Sequence, residues 1–144
     1  MSRDFKKCIE KKSLYKSGGA KGLFKNELAS AGDDLGDARL SLSEGRLKWA
    51  TIQAYYAIFH AARALLYSRG YRERSHCCVV AGIEHLFAGE GLLDMKWVRA
   101  LRNAMSMRED ADYASEFSRD GAETTVRSAE GFLKEAKRIL EGEG

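Results

Sequence analysis

The chain has 144 residues, a net charge of +3 and no proline, where about seven prolines would be expected at ordinary usage. Without proline the commonest helix breaker and turn former is missing, which argues against an all-β fold. With 44% hydrophobic residues, the length suits one domain with its own core and excludes a collagen-like or disordered chain.

The charge is uneven. Residues 1–25 carry eight basic side chains against Asp4 and Glu10, a net +6, and the rest of the chain balances to −3. The body is therefore not a basic nucleic-acid platform; the head reads as a solvated lysine-rich surface that can also meet phosphate or an acidic partner. Cys8, Cys77 and Cys78 are odd in number and two are adjacent, which predicts free thiols in a reducing compartment. The first 25 residues are too charged for a signal peptide, and the longest apolar run, Ala54–Phe59, is too short to span a membrane. A cytoplasmic protein without a membrane partner is expected.

In chain order, Arg3–Lys16 predicts a short helix with Phe5 and Ile9 on one face, broken by Ser17-Gly18-Gly19 and followed by a flexible connector, Ala20–Lys25. Residues 1–25 are thus expected as a basic extension and 26–144 as the folded body. Leu28, Ala31, Leu35, Ala38 and Leu42 recur at helical steps, with Asn26 as N-cap and a stop at Glu44-Gly45; Gly32 and Gly36 are candidates for close helix packing. Leu47–Arg69 is apolar nearly all round, the pattern of a helix buried on several sides. Its polar exceptions Gln53, His60 and Arg63 fall with Tyr56 and Tyr67 on one stripe. Gly70 ends it, Ser75 is placed to cap a helix over His76–Phe87, and Gly89-Glu90-Gly91 precedes helices over Asp94–Tyr113 and Asp120–Leu140. Nothing alternates as a strand. The expected fold is all-α, an up-and-down bundle of four to five helices.

Two groups of residues are candidates for chemistry. In the helix over Asp94–Tyr113 the seam Val98, Leu101, Met105 continues onto Arg108 and Asp112, which pair at i, i+4, with Tyr113 next. Two readings are open: an exposed helix end with a surface ion pair, or a functional cleft. The second group is the stripe Gln53, Tyr56, His60, Arg63 and Tyr67. Arg63 needs a carboxylate or phosphate partner, and Asp112 is the obvious intramolecular one. Metal binding is not expected, because His76, Cys77, Cys78 and His85 lack any ligand spacing of a known site. No phosphate-cradling glycine loop, nucleophilic triad or cofactor motif is present.

The segments Gln53-Ala54-Tyr55-Tyr56-Ala57-Ile58-Phe59-His60-Ala61-Ala62-Arg63-Ala64-Leu65-Leu66, Gly70-Tyr71-Arg72-Glu73-Arg74-Ser75-His76 and Arg108-Glu109-Asp110-Ala111-Asp112-Tyr113 resemble the HEPN (higher eukaryotes and prokaryotes nucleotide-binding) superfamily, especially its small stand-alone prokaryotic members. The likeness runs from about residue 26 to 140. It implies a helical bundle that dimerises around a cleft, often working with a minimal nucleotidyltransferase as toxin and antitoxin. Active members are metal-independent ribonucleases with an Arg-x4-6-His motif. Here the positions counted from Arg108 hold Tyr113, Ala114 and Ser115. Tyrosine, with a pKa of about 10, is a poor general base at neutral pH. The expectation is therefore nucleotide or RNA phosphate binding at Arg108, with Asp112 and Tyr113 shaping the site and Gln53, Tyr56, His60 and Arg63 supporting it. The alternatives are a ribonuclease toxin that moves protons with His60 or Tyr113, and a non-catalytic dimeric interaction module.

Overall fold

Long proline-free stretches fold into helices here, and two of the longest are ended by Gly45 and Gly70, at φ +75° and +81°. In chain order the computed structural model, which describes residues 3–142, contains α1 (Arg3–Glu10), β1 (Leu14–Lys16), a 3₁₀ turn (Ala20–Leu23), α2 (Phe24–Ser43), α3 (Leu47–Ser68), β2 (Tyr71–Glu73), α4 (His76–Ile83) with a following π-helical turn (Glu84–Ala88), α5 (Met95–Tyr113) and α6 (Arg119–Gly142). The ends of the two expected segments, residues 1–2 and 143–144, lie outside the described residues.

The fold is all-α apart from one small antiparallel ribbon. Helix α3 is its axis and packs on α2, α4, α5 and α6. Fourteen of its 22 residues are buried, among them Tyr55, Ile58, Leu65, Leu66 and Tyr67, as expected for a helix apolar all round. Between α2 and α3 the chain reverses through Gly45, at φ +75°. Its N–H bonds the Leu42 carbonyl at 3.1 Å and the Arg46 N–H bonds that of Ser41 at 2.8 Å, the pair of bonds that closes a helix end when a left-handed residue follows. At the start of α5, Asp94 accepts from the Lys96 N–H at 2.9 Å and caps the helix.

Several expectations are corrected. The first helix stops at Glu10 instead of Lys16, because the chain turns at Lys12 (φ 57°) and Leu14–Lys16 pairs with Tyr71–Glu73 in the register Leu14↔Glu73, Tyr15↔Arg72, Lys16↔Tyr71. Strands this short carry no readable alternation. Phe5 and Cys8, not Phe5 and Ile9, form the buried face of α1, while Ile9 is exposed. The free-thiol expectation fails for two of the three cysteines: Cys8 and Cys78, 70 residues apart, form a disulfide, and Cys77 alone is free. The expected flexible connector is a 3₁₀ turn whose Ala20 is fully buried. Asn26 is not a cap, since α2 begins at Phe24 after Leu23. Ser75 precedes α4, but its hydroxyl makes no cap bond and lies 3.1 Å from Cys77 Sγ.

The glycines that matter for packing also differ from expectation. Nothing lies within 4 Å of a Cβ placed at Gly32 or Gly36, so neither brings helices together. Gly131 does. A Cβ there would sit 2.1 Å from the Trp97 ring, so the absence of a side chain is what lets α6 close on the α5 indole.

Candidate functional site

The apolar seam of α5 runs through buried Val98 and Leu101 to half-buried Met105 and then reaches Arg108. Opposite this last stretch α3 presents two tyrosines in place of aliphatic side chains, and these make room for a guanidinium. Arg108 Nη2 donates to the Tyr56 hydroxyl at 3.1 Å and lies 3.5 Å from Asp112 Oδ2. Its guanidinium carbon is 5.7, 5.6 and 5.6 Å from the ring centroids of Tyr55, Tyr56 and Tyr113. Its Nε is buried and has no hydrogen-bond partner.

Burial works to lower the Arg108 pKa, but Tyr56, Tyr113, Asp112 and Tyr55 raise it further, so the net direction is upward and the charge is kept. Tyr55 shows the other side of this arrangement. Its phenol is pushed up to about 12 by burial, against a smaller opposing pull from Arg108. The Tyr55 hydroxyl is 3.2 Å from His76 Nδ1, and the exposed His76 ring lies 4.4 Å from that of Phe59. Tyr113 is 77% exposed. The result is a cation held by π faces and one half-exposed carboxylate, beside an open aromatic ring. That combination suits a phosphate with an adjoining base.

The rest of the α3 stripe is engaged elsewhere. His60 Nδ1 is 2.5 Å from Glu27 Oε2, and its Nε2 is 3.6 Å from Asp34 Oδ2. Arg63 pairs with Glu27 at 3.5 Å and with Glu73 at 3.2 Å, and it donates to the Tyr67 hydroxyl. The expected pairing of Arg63 with Asp112 is thus corrected: α2 and β2 bring Glu27 and Glu73 to it, while Asp112 belongs to Arg108. Burial works to lower the Arg63 pKa, but Glu73, Glu27 and Tyr67 raise it, so the net direction is upward. Asp34 is raised by burial despite His60, and Tyr67 is raised by burial and by Glu73. The Gln53 side chain ends 2.6 Å from Ser41 Oγ and 3.1 Å from the Trp49 and Asp37 carbonyls, an all-oxygen environment in which its nitrogen donates and ties α2 to α3.

Arg108, Asp112, Tyr113 and Tyr56 therefore come together, whereas Gln53, His60 and Arg63 serve contacts with α2 and β2. His60 keeps one link to the cage, its ring 6.5 Å from that of Tyr56. Sequence reasoning missed Tyr55 and His76 as members of the site. Tyr55 was hidden among core residues, and His76 becomes relevant only once α4 is placed against α3. Beside the cage a cavity of about 640 Å³ opens between α1, α4 and α5; its lining includes Lys7, Lys11, Ser75, Glu109 and all three cysteines. Among the described residues no group of three or more His, Cys, Asp or Glu is arranged to hold a metal ion, and no helix is long and apolar enough to cross a membrane.

The profile of the HEPN domain matches residues 25–141, which takes in α2 to α6 and the Arg108 cage and leaves α1 and β1 outside. The chain belongs to the HEPN family. Among similar proteins is a UPF0332 protein of Thermotoga maritima, 30% identical over 109 residues, 74% of this chain and 83% of that protein. A UPF0332 protein of Archaeoglobus fulgidus is 33% identical over 106 residues, 72% and 84% of the two chains. A Methanocaldococcus jannaschii protein, 29% identical over 111 residues (76% and 83%), bears the name "Putative toxin".

Proposed function

We propose that this HEPN protein is of the toxin type, acts in the cytoplasm, and binds the phosphate of an RNA or nucleotide at Arg108. The observation that carries the reading is the Arg108 cage: a permanent cation paired with a single, partly exposed carboxylate, Asp112, next to the open ring of Tyr113. A phosphate can take the place of the exposed Asp112 carboxylate on the guanidinium, and Tyr113 offers a base its π face. The likeness to a relative named a toxin supports the biological role. Tyr113 and Phe117, 77% and 49% exposed, also support a homodimer in which a second copy closes the cleft. A minimal nucleotidyltransferase is the partner implied by the resemblance.

The test is fluorescence anisotropy with labelled single-stranded RNA and with nucleoside triphosphates. Arg108→Gln should weaken binding by at least about tenfold, the loss of one charge-assisted contact. Arg108→Lys should not restore it, because an ammonium cannot fill a flat aromatic cage as a guanidinium does. Binding unchanged in Arg108→Gln refutes the site. Light scattering tests the dimer, and co-purification tests the nucleotidyltransferase.

A ribonuclease reading has one observation in its favour, the exposed imidazole of His76 hydrogen-bonded to Tyr55 of the cage. In that reading His76 takes the 2′-hydroxyl proton as its oxygen attacks phosphorus, the P–O5′ bond breaks with the 5′-oxygen protonated by solvent, and Arg108 stabilises the charge. His76→Ala should then abolish release of 2′,3′-cyclic phosphate products while leaving RNA binding intact. Absence of cleavage by the unaltered protein excludes this chemistry and leaves the binding reading standing.

A further inference from the structure

The positive charge of this chain is concentrated in residues 1–25, and most of that stretch lies outside the part matched to the family. It is not a free tail. Phe5 stacks on His85 at 4.1 Å, Cys8 is bonded to Cys78, and β1 pairs with β2. These contacts fix a row of cations against the bundle.

On the ribbon, Tyr15 stands opposite Arg72 and therefore on the same face, and the Arg74 guanidinium is 4.9 Å from the Tyr15 ring centroid. The Arg74 N–H bonds the Ser13 carbonyl at 2.8 Å. Arg74 lies two residues before His76, which touches Tyr55 of the Arg108 cage. Lys7 and Lys11 line one cavity with Asp4 and with Glu109, the sequence neighbour of Arg108. Among the described residues, no ion pair involves Lys7, Lys11, Arg72 or Arg74. A set of cations without ion-pair partners, with an aromatic ring among them, thus lies beyond Arg108.

We propose that this N-terminal arm is the backbone-binding wall of the site: a single-stranded RNA with one phosphate on Arg108 continues past Lys7 and Lys11 to the ribbon, where Arg74 holds phosphate and Tyr15 offers a stacking face. The proposal rests on the phosphate reading of Arg108. A single strand fits because its phosphates repeat along a path and its bases are free to stack, which is what alternating cations and rings recognise. It also explains how a body of net −3 engages a polyanion.

The test uses the full chain and a fluorescein-labelled single-stranded RNA of about 16 nucleotides, titrated at several salt concentrations. The variant Lys7→Gln/Lys11→Gln/Arg74→Gln alters three exposed side chains, and its circular dichroism should be unchanged. Each phosphate contact contributes about 0.7 to the slope of log K against log salt for a single strand. The slope should therefore flatten by about two units, with an affinity loss of about 100-fold near 0.1 M salt. Arg108→Gln is measured alongside. If Arg108→Gln weakens binding and the triple variant does not, the arm proposal is overturned and the Arg108 reading stands. If the triple variant weakens binding and Arg108→Gln does not, the arm is not a wall of that site, and both readings fall. Polyglutamate that displaces the RNA as well as unlabelled RNA does would overturn the proposal in favour of an acidic protein partner.

Discussion

Opening the Cys8–Cys78 disulfide should cost this protein a large part of its stability, and the geometry sets the size. The bond spans 70 residues. In the chain-entropy account, a loop of that length removes about 15 cal/mol/K from the unfolded chain, or about 4 kcal/mol at 25 °C. Against a total stability of about 5–15 kcal/mol for a typical domain, that is a major share. At eight residues α1 is too short to persist as an isolated helix, and its other anchors include Phe5 on His85 and Tyr71 and the three-residue ribbon. The assay is urea unfolding followed by circular dichroism, with and without a dithiol reductant, on the unaltered chain and on Cys8→Ser. With a urea slope of about 2 kcal/mol per molar, the midpoint should fall by about 2 M on reduction. Cys8→Ser should unfold at the lower midpoint whether or not reductant is present. Thiol titration of the unfolded chain should count one free thiol before reduction, Cys77, and three after. An unchanged midpoint despite three titratable thiols would refute the reasoning.

Two further outcomes can be checked with the same equipment. Because the Tyr55 pKa is raised from 10.0 to about 12 in the folded chain, the native state holds a proton that the unfolded state has lost between those values. The stabilisation it brings is complete below about pH 10 and disappears as pH climbs to about 12. Thermal melts across that window should show a shallower decline for Tyr55→Phe than for the unaltered chain, and parallel declines would count against the shift. Glycine-to-alanine substitution should change sign with position. Gly131→Ala drives a methyl into the Trp97 ring and should cost about 1–3 kcal/mol. Gly36→Ala, in open space on α2, should stabilise by about 0.5–1 kcal/mol, both read from urea midpoints.

Helices α2, α5 and α6 were readable because each repeats its apolar residues at a period close to 3.6 over about four turns or more, and α3 because its long proline-free run is apolar nearly all round. The charged continuation of the α5 seam was readable for the same reason: Arg108 and Asp112 stand at the spacing that brings them together. What stayed hidden depended on partners distant in sequence. Leu14–Lys16 has no pattern of its own and becomes a strand only against Tyr71–Glu73. An odd cysteine count cannot reveal that Cys8 reaches Cys78 and bypasses Cys77. Gly131 resembles any other helical glycine until Trp97 lies across it. The partners of Arg63, Glu27 and Glu73, sit on elements whose approach to α3 no periodicity encodes.

The two arginines at the centre of the molecule have similar exposure and opposite electrostatic circumstances, and this difference decides their roles. The Arg63 and Arg108 side chains are 21% and 18% exposed, so burial alone does not distinguish them. Arg63 faces two carboxylates, and the Glu73 side chain is only 8% exposed. Its charge is fully matched, and removing it strands a buried anion. Arg108 faces one carboxylate, exposed by 35%, and three phenols that attract a cation without neutralising it. Arg63→Ala should therefore cost stability, about 2–3 kcal/mol once the 3–5 kcal/mol of a fully buried broken pair is reduced for partial exposure. RNA binding by the fraction that remains folded should be close to normal. Arg108→Ala leaves Asp112 in contact with water, so its effect on the urea midpoint should be smaller while its effect on RNA affinity is large. Measuring both quantities for both variants separates the roles. If Arg108→Ala proves the more destabilising and leaves RNA affinity intact, the caged arginine is a structural clamp and the phosphate assignment fails.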